Sequence, residues 1–260
     1  MLNVIDSFSI FGLEIHFYGL FIALGMILGV TVVCLICKKR GLKVDDILLL
    51  ALYALPLALI GARAFYIIFE TEGYTFVEML QVWNGGMVLY GGIIGGAIGV
   101  VLYCLIHKKN FFLLADVAVV GLILGQAIGR IGCYFGGCCY GKVVTSESMQ
   151  WFPFASIQND GLWHLCTFFY EFALDMVIFA ILFILIRKIQ TKGIVLSIYF
   201  MSYGFVRFML EFIRGDTVWT MGSLRVSQYI SIILIVAGAA LLTTILLLKR
   251  KKKETTKENE

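Results

Sequence analysis

Long apolar runs separated by short polar loops dominate this chain. Seven runs are long enough to cross a bilayer, which takes about 20 helical residues at a rise of about 1.5 Å each. They lie near residues 17–37, 47–69, 87–106, 113–131, 167–186, 194–213 and 226–248. The pattern therefore predicts an all-α integral membrane protein with seven transmembrane helices.

Composition agrees with this prediction. Hydrophobic residues make up 60% of the chain and the mean hydropathy is +0.93, whereas ordinary soluble domains contain about 45–50% apolar residues. The first run has no preceding Lys or Arg and is too long for a signal-peptide core, so we expect it to be retained. The net charge of +4 reflects membrane topology, and we expect no nucleic-acid partner.

The positive charges predict the orientation, because Lys and Arg in short loops remain on the cytoplasmic side. Fifteen of the 21 basic residues follow the first, third, fifth and seventh runs. The amino terminus is then outside and the carboxyl terminus inside. The predicted organisation is a transmembrane domain over residues 1–248, with a small outer cap around 140–165, and a basic, disordered cytoplasmic tail over 249–260.

Arginines inside apolar runs are the strongest chemical signal. Burying an arginine at the bilayer centre costs about 2.5–3.5 kcal/mol on insertion scales, so such a residue usually faces a partner or a wet cavity. Arg130 lies at the outer end of the fourth run. Tyr203, Arg207 and Glu211 share one helical stripe, which Arg214 continues. Either Arg207 and Glu211 only neutralise each other, or Arg130 and Arg207 together grip a phosphate.

Three cysteines cluster near the outer face in the segment GRIGCYFGGCCYG, residues 129–141. Cys133, Cys138 and Cys139 lack an obvious fourth metal ligand and the usual paired spacing, so we expect no metal and no cofactor. A disulfide and simple packing of free thiols both remain open. The other four cysteines are expected to be buried packing residues.

Six segments, in order along nearly the whole chain, resemble the prolipoprotein diacylglyceryl transferase family. They are IHFYGLFIALG (15–25), GARAFY (61–66), VWNGGMVLYGGIIGG (82–96), GRIGCYFGGCCYG (129–141), YE (170–171) and YGFVRFMLEFIRGD (203–216). The resemblance implies a multi-pass protein of the bacterial cytoplasmic (inner) membrane. It also implies transfer of the diacylglyceryl group from phosphatidylglycerol, among the membrane lipids, to the lipobox cysteine of a preprotein.

The resemblance also implies roles for individual residues. Arg130 and Arg207 would hold the lipid phosphate, with Glu211 orienting Arg207, and the phosphate or Glu171 would activate the acceptor thiol if Tyr90 does not. Tyr90 stands where the family has a histidine, and a phenol with a pKa of about 10 is a poor base at neutral pH. The remaining expected substrate-binding residues are Tyr18, Tyr203, Arg214, Gly141 and Cys133.

These departures from the family pattern leave three interpretations open. Cys133 and Cys138 stand where the family has asparagine and glutamate, and Gly136 replaces a second asparagine. The chain is the lipoprotein-modifying transferase, or a paralogue of the same fold that binds phospholipid with another acceptor or none. The third interpretation is a membrane thiol-redox or metal protein that uses Cys133, Cys138 and Cys139.

Overall fold

Seven long α-helices form the apolar part of the residues that the structure describes. The computed structural model describes residues 7–10, 13–69, 88–158, 160–215 and 220–258. Within these ranges the helices are α1 (Phe17–Cys37), α2 (Val44–Phe69), α3 (Leu89–Ile106), α4 (Phe111–Phe135), α5 (Thr167–Lys188), α6 (Ile194–Leu210) and α7 (Val226–Glu258).

Five of the seven helices, α1, α2, α4, α5 and α7, are long and apolar enough to cross a membrane, while α3 and α6 are shorter apolar helices. The protein is therefore a multi-pass membrane protein, and the helices lie where the apolar runs predicted them. Helix α6 ends at Leu210, earlier than the predicted 213, because the chain turns away there.

Helix α7 continues to Glu258, where we predicted a disordered tail after residue 248. The basic segment is rich in lysine and glutamate, which favour helix, and an ion pair joins Arg250 Nε to Glu254 Oε1 at 2.9 Å. The polar tail is therefore helical almost to its end.

Three short antiparallel hairpins, which the apolar pattern did not predict, lie outside the helices. They pair β1 (Ser7–Ile10) with β2 (Leu13–His16), β3 (Ala155–Ile157) with β4 (Trp163–Leu165), and β5 (Thr220–Met221) with β6 (Leu224–Arg225). The second hairpin falls in the predicted outer cap. Single turns of 3₁₀-helix occur at Lys38–Arg40 and Glu147–Met149.

The chain divides into two compact units, of which one is Val33–Ala115. Its centre is the packing of α2 on α3, where three glycines spaced four residues apart on α3, Gly91, Gly95 and Gly99, touch backbone. A Cβ at Gly99 would lie 2.7 Å from Ala54 Cα, and a Cβ at Gly91 or Gly95 would lie still closer to the α2 backbone. These glycines therefore serve helix packing. Gly85 and Gly86 lie outside the described residues.

The other unit comprises Met1–Val32 and Asp116–Glu260. Its first helix packs on α4 through glycines, since a Cβ at Gly25 would lie 2.8 Å from the carbonyl oxygen of Gly125. The buried Asp116 of α4 accepts hydrogen bonds from the backbone N–H groups of Gly193 and Leu196, at 2.7 and 2.8 Å. A carboxylate of one helix thus caps the amino terminus of α6.

Candidate active site

A buried carboxylate joins two arginines from different helices. Glu171, in the first turns of α5, is 2% exposed. Its Oε1 lies 2.5 Å from Arg130 Nη2 of α4, and its Oε2 accepts a hydrogen bond of 3.1 Å from Arg207 Nη1 of α6. Both carboxylate oxygens are therefore engaged, and the two guanidinium groups that the sequence singled out are held in one site.

The ion pairs continue through Glu211 to a third arginine. Arg207 Nη2 lies 3.4 Å from Glu211 Oε2, and Arg225 Nη1 donates to Glu211 Oε1 at 3.3 Å. Glu211 is almost completely buried. Arg207 and Glu211 do form the predicted ion pair. Because Arg207 also contacts Glu171, however, the two residues do not only neutralise each other.

Arg225 is a member of this network that the sequence prediction missed. It is the last residue of β6 and directly precedes α7. Besides Glu211, its Nη2 donates to the carbonyl oxygen of Arg214 at 3.2 Å. One feature of the sequence could have revealed Arg225: it stands immediately before the last apolar run. A count of loop charges does not distinguish this position from any other loop position.

Asp175 is a further buried acidic residue, and the sequence prediction did not select it. It lies one turn after Glu171 on α5 and is fully buried. Neither carboxyl oxygen has a hydrogen-bond partner among the described residues. Its signal in the sequence was the E-x-x-x-D spacing, which places two acids on one face of the helix.

Arg214 leaves the helical stripe on which the sequence placed it. Since α6 ends at Leu210, Arg214 lies beyond the turn and forms a β-bridge with Gly141. A Cβ at Gly141 would lie 2.6 Å from Leu165 Cβ and 2.9 Å from the carbonyl oxygen of Ile213. Three backbone segments therefore approach each other closely at Gly141, and this position needs a glycine. The contact connects the cap to the end of α6.

The three cysteines of this segment lie together. Their sulfur atoms are all within 4.8 Å of one another, and all three carry free thiols. Arg130 Nη1 lies 3.8 Å from Cys139 Sγ. The thiol cluster therefore adjoins the arginine network directly.

Hydrogen bonds from Cys133 and Cys138 hold the pKa of the Cys139 thiol below its usual range, and the positive charges of Arg130 and Arg214 act in the same direction. Hydrogen bonds with Cys133 and Cys139 raise the pKa of Cys138.

The three predicted tyrosines lie on three different helices. Tyr203 lies one turn before Arg207 on α6 and stacks on Tyr199 with ring centroids 5.7 Å apart. Tyr18 is 42% exposed, and its ring lies beside Gly136. Tyr90 is the second residue of α3, is 38% exposed and belongs to the Val33–Ala115 unit.

An apolar cavity of about 530 Å³ lies between the end of α4, the cap hairpin and the start of α5. Aromatic side chains form much of its wall: Tyr134, Phe135, Phe152, Trp163, Phe168, Phe169 and Phe172. Phe168 and Phe169 also pack with Cys133, so the cavity and the thiol cluster share a wall. The described site thus combines fixed positive charge with an apolar recess.

Comparison with known proteins decides the family. The sequence model of a family described as prolipoprotein diacylglyceryl transferase matches residues 6–244. The chain belongs to this family. The matched residues include all six motif segments noted above, so the resemblance that we based on those segments is confirmed.

Relatives within the transferase family cover most of the chain. A protein of Clostridium perfringens (strain 13 / Type A) named phosphatidylglycerol--prolipoprotein diacylglyceryl transferase 1 is 38% identical over 234 residues, 87% of this chain and 88% of its own. Similar proteins of Clostridium botulinum (strain Langeland / NCTC 10281 / Type F) and Finegoldia magna (strain ATCC 29328 / DSM 20472 / WAL 2508), with the same name but no number, are each 37% identical. They cover 87% and 88% of this chain and 91% and 90% of their own lengths.

Proposed function

We propose that this chain transfers the diacylglyceryl group of phosphatidylglycerol to the lipobox cysteine of prolipoproteins. The reaction forms a thioether and releases glycerol phosphate. Family membership and the shared name of the relatives support this assignment. It also fits a multi-pass membrane protein, because one substrate is a phospholipid.

The observation that carries the proposal is the charge of the ion-pair network. Three guanidinium groups, those of Arg130, Arg207 and Arg225, face the two carboxylates of Glu171 and Glu211. The groups in this chain of ion pairs therefore carry one net positive charge in a largely buried place. A phosphate diester carries one negative charge and complements that excess.

The same network suits the chemistry of the transfer. As the bond between the glyceryl carbon and the phosphate oxygen breaks, negative charge grows on the leaving phosphate. Guanidinium groups fixed in advance stabilise that charge without reorganising, and they grip two oxygens at once. We assign this role to Arg130 and Arg207, whereas Glu171 and Glu211 are positioning residues.

Glu171 is poorly placed to act as the base that the sequence allowed. Both of its oxygens already contact guanidinium groups. The proposed substrate-binding set keeps Tyr18, Tyr203, Arg214, Cys133 and Gly141. Tyr90 stays a predicted catalytic residue, by its position in the family motif.

We also propose the finer topology of seven membrane-spanning helices in a bacterial cytoplasmic membrane, with the amino terminus outside. Helix α3, of 18 residues, spans about 27 Å at 1.5 Å per residue, close to the apolar thickness of a bilayer. Loop basic residues support the orientation. The arginine network then lies in the outer half of the membrane, toward the cap.

Complementation tests the function in cells. We expect this chain to restore lipoprotein maturation in a bacterium depleted of its own transferase, measured by recovery of the lipid-modified form on gels. The Arg130→Ala variant serves as the negative control. Expression in the membrane without any maturation would contradict the proposal and favour a paralogue that binds phospholipid but uses another acceptor.

A further inference from the structure

The thiol cluster consists of Cys133, Cys138 and Cys139, and its geometry is set by a fixed turn. Cys133 lies in the last turns of α4, and the chain reverses so that the backbone N–H of Cys138 donates to the Cys133 carbonyl at 3.1 Å. Gly137 and Cys139 both have positive φ, of 57° and 60°. For a residue other than glycine this conformation is uncommon and concentrates at functional sites.

A neighbouring helix secures the strained residue. The hydroxyl of Thr167, the first residue of α5, donates to the Cys139 carbonyl at 2.6 Å. This hydrogen bond ties the backbone of Cys139 to α5. The spacing of the cysteines argued against a metal, but the turn brings all three sulfurs within 4.8 Å of one another.

That separation suits a tetrahedral zinc ion. A zinc–sulfur bond is about 2.3 Å long, so two sulfurs on one tetrahedral ion lie about 3.8 Å apart. Each pair of sulfurs would need to close by at most about 1 Å. Cys133 is buried, whereas Cys138 and Cys139 are partly exposed, so the fourth position of such an ion faces the accessible side.

The proposed transfer also needs a thiolate, since the thiolate is the nucleophilic form of cysteine. The carboxylates of the arginine network are already paired. His164 is engaged at both ring nitrogens, with Asp160 Oδ2 at 2.8 Å and the carbonyl oxygen of Gly141 at 2.9 Å. A zinc ion deprotonates the thiol that binds it and needs no separate base.

We propose that Cys133, Cys138 and Cys139 bind one Zn²⁺ ion whose fourth position takes the acceptor cysteine as its thiolate. The second half of this inference rests on the proposed function. Arg130, next to Cys139, would offset one of the two net negative charges of a Zn²⁺ ion bound by four thiolates. It would also bring the thiolate close to the phosphate that it binds.

The bond changes balance as follows. The acceptor thiol binds zinc and releases its proton to solvent. Its sulfur electron pair attacks the glyceryl carbon that bears the phosphate, and the carbon–oxygen pair leaves on glycerol phosphate. The neutral thioether, a weaker ligand than a thiolate, dissociates and frees the fourth position.

Cobalt spectroscopy on the full chain in phospholipid nanodiscs tests the metal site, because Co²⁺ replaces zinc and thiolate ligands give it intense charge-transfer absorption. We expect one Co²⁺ per chain in the wild type and in the control Cys34→Ser, and none in the variant with all three cluster cysteines changed to Ser. Equal binding by that variant, or no binding by the wild type, would overturn the inference. The single change Cys139→Ser provides the same comparison if the triple variant does not fold.

Peptide addition tests the fourth position without requiring turnover. A lipobox peptide with its cysteine should increase the cobalt–thiolate absorption, and the same peptide with serine should not. No difference between the peptides would overturn the inference. If the difference occurs but no thioether forms with zinc and phosphatidylglycerol, the proposed function fails and the metal site stands.

Metal removal tests whether the ion acts in the reaction. We expect chelation to lower transfer about 100-fold, in line with the loss of a general base, and added Zn²⁺ to restore it. Full transfer by the metal-free protein would contradict the activating role.

Discussion

Glu171 shows how one residue organises the site. A single buried carboxylate accepts guanidinium groups from α4 and α6, which would otherwise repel each other. In low-dielectric surroundings, removing this carboxylate would leave two buried positive charges without a counter-charge, which destabilises the fold. The consequences of changing either the acid or its partners are therefore predictable.

Arg130 should be sensitive to the shape of its side chain as well as to its charge. We expect Arg130→Ala to lower kcat/KM for lipid transfer by about 100- to 1,000-fold, the usual cost of losing one donor to a developing anion. Arg130→Lys should recover only part of this loss, because lysine lacks the planar fork. Full activity in Arg130→Ala would contradict the phosphate-binding role.

Changing Glu171→Gln should cost stability and alter the response to lipid. We expect the free energy of unfolding to fall by about 3–5 kcal/mol, because two guanidinium groups lose their buried counter-charge. Added phosphatidylglycerol should then raise the melting temperature of the variant more than that of the wild type, since the lipid phosphate replaces the carboxylate. An equal lipid effect on both proteins would show that the phosphate does not reach these arginines.

At the level of elements, the cap is attached to the helices through backbone. Gly141 bridges Arg214, and its N–H donates to the Leu165 carbonyl at 2.8 Å. This connection brings the end of the 129–141 segment beside the end of α6. At Gly141, the family motif therefore serves the packing of the cap against the helices.

We expect Gly141→Ala to lower the free energy of unfolding by about 1–3 kcal/mol, because the added methyl group overlaps Leu165 and Ile213. Gly129→Ala is a matched control in the same segment, since nothing lies within 4 Å of a Cβ there. Thermal unfolding in detergent compares the two. Equal stability of both variants would contradict the close-packing explanation.

The turn of the cap hairpin should weaken in acid. The backbone N–H of Leu162 and the ring of His164 lower the pKa of Asp160. A carboxyl group whose pKa is lower in the folded protein than in the unfolded chain stabilises the folded form at pH values above the ordinary carboxyl pKa of about 3.9. This stabilisation is lost as the pH falls through the lowered pKa. Hydrogen exchange at Leu162, expressed relative to the intrinsic amide rate at each pH, should therefore rise in acid in the wild type and be less pH-dependent in Asp160→Asn; identical profiles would contradict this account.

For the molecule as a whole, the apolar pattern predicted where the long helices of the described residues lie, because membrane-length apolar runs leave few alternatives. The stripe of Tyr203, Arg207 and Glu211 followed from helical spacing. The contact of Arg130 and Arg207 with Glu171 could not be predicted from spacing, since it joins three helices. Arg225 and the thiol cluster depended on turns whose backbone conformation the residue pattern does not determine.

Orientation is the whole-molecule prediction that remains to be measured. With the amino terminus outside, a reporter active only in the cytoplasm should be active when fused after Glu260 and inactive when inserted in the cap near Ser146. The physical reason is the retention of basic loops on the inner side. The reverse pattern would contradict the topology and place the arginine network on the wrong side for an exported preprotein.

The most direct test of the central claim is to incubate the purified full chain with phosphatidylglycerol and a lipobox peptide and to weigh the products. We expect the peptide to gain one diacylglyceryl group through a thioether at its cysteine, with release of glycerol phosphate, and a serine peptide to remain unmodified. An unmodified cysteine peptide, in a preparation that is folded, zinc-loaded and shown to bind the lipid, would contradict the account.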